Sequence, residues 1–241
     1  MKKSAVILSL FMALSGGVFG IDLSPSAGAG GLLGYNFTRY KMEAGGTVSH
    51  QSMDRLNYAG FLFFDATYGE FAILIQGGNN NYDENMVYKD SALMAGNGAG
   101  TETSLGFSLL GKYPFTIDEK ISWFPMFGFE YQISLMQRRK PEGDIEYNRA
   151  KGHLIADRDK DDKPYSMSAW NSFWIDVGAG LDYNFAERLF LRSELLFGFR
   201  LPTGYELGSL ERVKKETKDN NPKLTGLTGG PAIKIGIGYR F

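Results

Sequence analysis

The sequence has no cysteine and only two histidines among its 241 residues. Without cysteine there is no disulfide framework, no thiolate metal site and no lipid anchor of the lipoprotein kind. Charge of one sign is not in excess either. Lys and Arg number 26 against 27 Asp and Glu, which removes the basic footprint of a nucleic-acid-binding domain. Long apolar runs are missing as well. The stretch Ala5–Leu14, interrupted by Ser9, is too short to cross a bilayer as a helix, and no run long enough for that follows it.

That short stretch has another reading. Lys2 and Lys3 precede it, and the small, weakly polar Ser15–Gly20 follow, with Val18 and Gly20 three residues and one residue before a cut after position 20. A positive start, an apolar middle and a small-residue end make a secretory signal peptide. Residues 1–20 are therefore expected to be removed, leaving 21–241 as one exported domain. The removed segment carries two Lys and no acid, so 24 basic residues remain against 27 acidic, a formal −3.

What is present in quantity is aromatic and small: aromatics reach 14 % and Gly 31 residues, while the mean hydropathy is slightly negative. A chain that turns only alternate residues to lipid keeps such a polar average. The alternation itself is plain after residue 28. Ile233, Ile235, Ile237, Tyr239 and Phe241 alternate with Lys234, Gly236, Gly238 and Arg240. Leu189, Leu191, Leu195, Phe197 and Phe199 oppose Arg192, Glu194, Gly198 and Arg200. Phe173 to Tyr183 oppose Ser172, Asp176 and Asp182, and Trp123 to Leu135 oppose Ser122, Glu130 and Ser134. Leu105 to Tyr113 oppose Ser104, Ser108 and Lys112. Period two is the strand signature. Weaker segments lie near 29–42, 56–68 and 71–78, with Phe61 and Phe63 breaking the alternation of the second.

Eight segments result, and their connections alternate in length. Short ones fall at Gly69-Glu70, read as a two-residue turn with Gly first, at about 116–120 and at Ala186–Arg188. Long ones fall at about 43–55, 79–100, 136–168 and 201–226. Short periplasmic turns and long extracellular loops are the pattern of an outer-membrane barrel. A soluble β-sandwich would also alternate, but the segments of about 10–14 residues exceed its usual five or six and match a tilted bilayer crossing. Aromatics also gather at the short-turn level: Tyr68, Phe71, Tyr113, Phe115, Trp123, Tyr183, Phe185, Tyr239 and Phe241. The expected fold is all-β, an eight-stranded antiparallel up-and-down transmembrane β-barrel in the outer membrane.

On these residues the chain resembles the small outer-membrane barrels of the OmpX and OmpW type. Its terminal Ile235-x-Ile237-x-Tyr239-Arg240-Phe241 resembles the signal that the barrel-assembly machinery reads, so that machinery and the outer-membrane lipids are the implied partners. The resemblance to OmpW-like barrels also implies an alternative, a narrow channel for small hydrophobic solutes with an apolar upper funnel that Trp174 could line.

Parity places many charges inside: Asp65, Glu102, Glu130, Asp176, Asp182 and Glu194 against Lys112, Arg192, Arg200, Lys234 and Arg240. Mixed signs in a low-dielectric interior imply pairing, and eight strands leave room for little beyond side chains. A filled lumen is thus expected rather than a pore, although inward glycines leave room for a narrow cavity. Leu74, Phe124, Met126, Trp174 and Leu196 are inward and apolar, and read as packing. Centring a turn on Glu187 pairs residues whose numbers sum to 374. Asp182 then faces Arg192 and Gly180 faces Glu194, with Lys234 and Arg240 within reach of Glu194 and Asp182.

Catalytic patterns are thin. His50-Gln51-Ser52 with Asp54 is similar to the His-x-Ser of outer-membrane lipid A deacylases but falls in an expected loop, so a lipid-modifying enzyme ranks last and no catalysis is expected. Asp157, Asp159 and Asp161 have Ca²⁺-loop spacing, yet Asp162 stands where the loop needs Gly and Ser168 where it needs Glu. Neither a metal nor a cofactor is expected. The long polar loops suit an extracellular ligand or host molecule, and the function expected is a structural or surface-interaction barrel.

Overall fold

A computed structural model of the chain describes residues 25–44, 47–88, 91–140, 145–148, 153–155, 170–204 and 223–241. The expected signal peptide, the acidic 157–162 run and residues 205–222 of the expected 201–226 loop lie outside these residues. The strands are β1 (Pro25–Ala44), β2 (Thr47–Ala66), β3 (Gly69–Tyr88), β4 (Ser91–Lys112), β5 (Phe115–Thr116), β6 (Ile121–Lys140), β7 (Ile145–Asn148), β8 (His153–Ile155), β9 (Ser172–Asn184), β10 (Leu189–Arg200) and β11 (Lys223–Arg240).

Eight of them form a closed antiparallel ring. The order β1-β2-β3-β4-β6-β9-β10-β11 returns to β1 through the register Ser26↔Arg240 to Glu43↔Lys223. β5 pairs with the start of β6, and the β7–β8 hairpin leans on the end of β6. Phe241 closes the chain, its amide donating to the Pro25 carbonyl at 3.0 Å. Closure leaves the ring no unpaired edge, a condition for any sheet within a bilayer.

The wall has inverted polarity. Leu33, Leu62, Ile75, Leu109, Phe127, Leu195, Ile235 and Ile237 stand exposed on the outside. Inside, Asp65, Glu70, Asp182, Arg192, Glu194 and Lys234 are buried. Outward positions from Ala27 to Phe37, Leu56 to Phe64, Trp123 to Leu135 and Phe173 to Tyr183 carry no charge. At the short-turn end Phe115 stacks on Trp123 at 4.9 Å and meets Tyr113 at a tilt, 5.1 Å away, and Tyr239 meets Phe241, an interfacial girdle. No described helix is long and apolar enough to cross a membrane; the crossing is made by strands.

Three sequence expectations need correction. The stretches 43–55 and 79–100 are wall rather than loop: the ladders run on to Ala44↔Thr47 and Tyr88↔Ser91. Above the bilayer both faces of a strand meet water, so the apolar period fades while the backbone pairing continues. The first turn is Thr67-Tyr68, not Gly69-Glu70. Asp65 faces Glu70 and Phe64 faces Phe71, and Thr67 supplies the positive φ of 57°. Phe61 and Phe63 do not break the alternation; they point inward between the exposed Leu62 and Phe64.

Candidate functional site

The centre of the lower lumen, on the side of the short turns, is Arg192 of β10. It faces Asp182 of β9 in the register sum of 374 and binds it through two bonds, Nε–Oδ1 at 2.7 Å and Nη2–Oδ2 at 2.8 Å. The same guanidinium donates to Glu70 Oε2 of β3 and to Asp65 Oδ2 of β2, each at 2.6 Å. Lys112 of β4 donates to Asp65 Oδ2 at 2.5 Å, and Ser26 of β1 reaches the same oxygen at 3.4 Å. Arg240 of β11 lies 3.6 Å from Asp182 and donates to Asn184. Three rings enclose the guanidinium: Phe63, Phe190 and Phe124 of β6, at 4.9, 5.0 and 5.2 Å. Every strand of the ring thus supplies a side chain to one cluster.

The rings fit because their neighbours have no side chains. A Cβ on Gly28 would lie 2.4 Å from Phe63, on Gly180 2.3 Å from Phe124, and on Gly238 2.2 Å from Phe190. The inward glycines were read as leaving room for a narrow cavity in a filled lumen; here Gly28, Gly180 and Gly238 are the seats of the aromatic plug. Desolvated cations over ring faces gain about 2 kcal/mol or more, and bidentate Arg–carboxylate bonds fix geometry as well as charge.

The upper lumen is looser. Lys234 faces Glu194 in the ladder with Nζ 3.8 Å from Oε2, and Arg192 Nε is 3.9 Å from Glu194 Oε1. Glu130 Oε1 accepts from Gln76 at 2.5 Å and from Gln132 at 2.7 Å. Ser172 donates to Gln132, and Trp174 donates to Ser172. A cavity of about 40 Å³ lies among Asn57, Gln76, Glu130, Trp174, Asp176 and Lys234, room for no more than a few waters. Asp176 is buried there and joins no ion pair among the described residues. Higher still, Arg55 bonds Glu102 at 2.5 Å, and Arg200 donates to Thr228.

The structure therefore brings Lys112, Asp182, Arg192 and Arg240 into one cluster, sets Glu194 and Lys234 at its upper edge, and leaves Glu130, Asp176 and Arg200 above it. Leu74, Phe124, Met126, Trp174 and Leu196 are all buried. Sequence reasoning missed Glu70, assigned to a turn, and Arg55, assigned to a loop. Both share the inward parity of their strands. Phe190 was missed too, two residues before Arg192 on the same face.

His50, Ser52 and Asp54 lie on the outer face of β2, not in a loop. Asp54 binds Arg39 at 2.8 Å, which holds its carboxyl below the usual range. His153 is on β8. Among the described residues no group of three or more His, Asp or Glu is placed to hold a metal ion.

No family model matches this sequence, and no curated protein matches it. Solved structures do. The outer membrane protein OprG of Pseudomonas aeruginosa is 13 % identical, with 90 % of this chain and 96 % of that one covered at a TM-score of 0.42. Neisserial surface protein A is 9 % identical, with 88 % and 97 % covered and a TM-score of 0.37. Ail, the attachment invasion locus protein of Yersinia pestis, solved with the heparin analogue sucrose octasulfate, is 12 % identical, with 90 % and 99 % covered and a TM-score of 0.30. The closed ring and the inverted wall, rather than these distant likenesses, decide the class. The chain is an integral outer-membrane β-barrel.

Proposed function

We propose that this barrel is a non-conducting surface protein, one that anchors a raised β rim in the outer membrane for contact with an extracellular ligand or host molecule. The observation that carries the reading is the Arg192 cluster, which draws on all eight strands of the ring and fills its cross-section with rings and ion pairs. The rim supports it. β1 to β4 and β6 each run 20 or 22 residues and β11 has 18, whereas β9 and β10 have 13 and 12. A crossing needs about 9–11, so the longer strands rise above the bilayer on one side of the ring. The reading assigns no catalysis. An apolar conduit is not favoured, because the upper lumen is lined by Gln76, Glu130, Gln132 and Asp176.

The test is swelling of liposomes that carry the refolded chain, with small sugars outside. No swelling above protein-free liposomes is expected. Swelling at the rate of a general porin would overturn the reading.

The same proposal gives Ile235, Ile237, Tyr239 and Phe241 the role of assembly signal toward the barrel-assembly machinery. Its support is their position on the outer face of the closing strand. Deleting Tyr239–Phe241 is expected to lower outer-membrane insertion while secretion continues. Normal heat-modifiable protein in the outer membrane of that strain would refute it.

A further inference from the structure

We infer that the small cavity of the upper lumen is a binding site for one monovalent cation, held by Asp176, Glu130 and Asn57. Asp176 projects from β9, Glu130 from β6 and Asn57 from β2, and all three line the same space of about 40 Å³. In the ring order β2 and β9 stand on opposite walls, so oxygens converge on the cavity from both sides. Such a volume admits a bare ion with a water or two and no larger solute. On β9, Asp176 stands further from the short turn than Gly180, the seat of Phe124. The cavity therefore lies above the aromatic plug, on the side of the rim.

The carboxylates at this level are not equally compensated. Glu194 is met by Lys234 at 3.8 Å and by Arg192 at 3.9 Å. Glu130 Oε1 accepts from the carboxamides of Gln76 and Gln132, and hydrogen bonds to a carboxylate favour its ionised form. Asp176 has neither kind of support. It is 8 % exposed and joins no ion pair among the described residues. Its ladder partners are Gly128 of β6 and Gly198 of β10, which bring no side chain to it. A Cβ on Gly198 would lie 2.8 Å from Asp176 Oδ1, so that glycine keeps the space at the carboxylate open. An ionised carboxylate left alone in a buried site is costly, and one positive charge answers it.

Asn57 points to a ligand independently of the acids. It is 5 % exposed, it lines the cavity, and its Oδ1 has no hydrogen-bond donor among the described residues. Buried acceptors without a donor are uncommon and costly. Carboxylate and carboxamide oxygens together are the ligands that hard cations take. Lys234 also lines the cavity, and its Nζ has no acceptor at hydrogen-bond distance among the described residues. A water on the ion serves that ammonium, its oxygen turned to both. The ammonium also limits the ion to a single charge, because a divalent ion would repel it twice as strongly at the same distance.

The experiment is thermal unfolding of the refolded barrel in detergent micelles, in sodium chloride or choline chloride at matched ionic strength and neutral pH. Choline is too bulky for the cavity and supplies the screening without the ion. Sodium should raise the unfolding midpoint in a saturable way, as a ligand of the folded state does, and choline should not. Asp176→Asn keeps the shape of the side chain and removes its charge. It should abolish the sodium response and leave the midpoint in choline at or above that of the unaltered chain. Asn57→Ala should keep a response and move its half-saturation to about tenfold more sodium, the scale of one lost ligand bond. Equal midpoints in the two salts, a sodium response that survives Asp176→Asn, or a rise with calcium chloride and none with sodium would each overturn the proposal. The readout is unfolding and not conductance, so its outcome is separate from that of the non-conducting reading.

Discussion

In the lower lumen three cations, Arg192, Lys112 and Arg240, meet three carboxylates, Asp65, Glu70 and Asp182, at 2.5 to 3.6 Å. Directly above that cluster one cation, Lys234, stands among Glu130, Asp176 and Glu194, 3.8 Å from the last of these and beside a cavity, with the Arg55–Glu102 pair higher still. Both halves have the same strands and the same inward parity. They differ in what surrounds the charge. Below, Phe63, Phe124 and Phe190 seat on glycines and exclude water, so each ion pair acts at low dielectric and an unpaired charge would be costly. Above, the carboxamides of Gln76 and Gln132 carry much of the hydrogen bonding, and space for water remains. The difference teaches that packing, and not the count of charges, decides where an eight-stranded lumen is sealed.

The comparison can be broken most severely at its centre. Arg192→Ala leaves Asp65, Glu70 and Asp182 short of a partner in a dry site and should cost about 3–5 kcal/mol, read from the urea midpoint in lipid vesicles. Lys234→Ala removes a cation of similar burial from the looser half. Its expected loss is smaller, about 1.5–3 kcal/mol, and a loss equal to that of Arg192→Ala would erase the distinction. Gly238→Val forces a side chain into the Phe190 ring and should cost about 1–3 kcal/mol by overpacking, visible as a lower temperature of heat-modifiable unfolding. Gln132→Ala, in the looser half, should cost about 1 kcal/mol in the same assay.

Much of this molecule was legible because a bilayer sharpens the strand signal. Leu195, Phe129, Ile235 and Ile237 face lipid while Lys234 is inside, as their alternation requires. The register that sets Asp182 against Arg192 followed from the short turn at 186–188. The first hairpin was harder. Gly69 looked like the turn residue by propensity, but Glu70 has a guanidinium to meet within the lumen, so the turn falls two residues earlier. The aromatic plug was hidden for a related reason. Inward Phe61, Phe63 and Phe190 violate a polar-inside rule, and their fit depends on glycines of neighbouring strands that no single-strand pattern reveals. Arg55 was lost because the apolar period ends where the wall leaves the membrane.

The central claim is that the Arg192 cluster seals the barrel. Single-channel recording in planar bilayers, comparing the unaltered chain with a Phe63→Ala/Phe190→Ala/Arg192→Ala variant, addresses it most directly. The account predicts a silent unaltered chain and discrete openings in the stripped variant. Openings of equal conductance in both would contradict it.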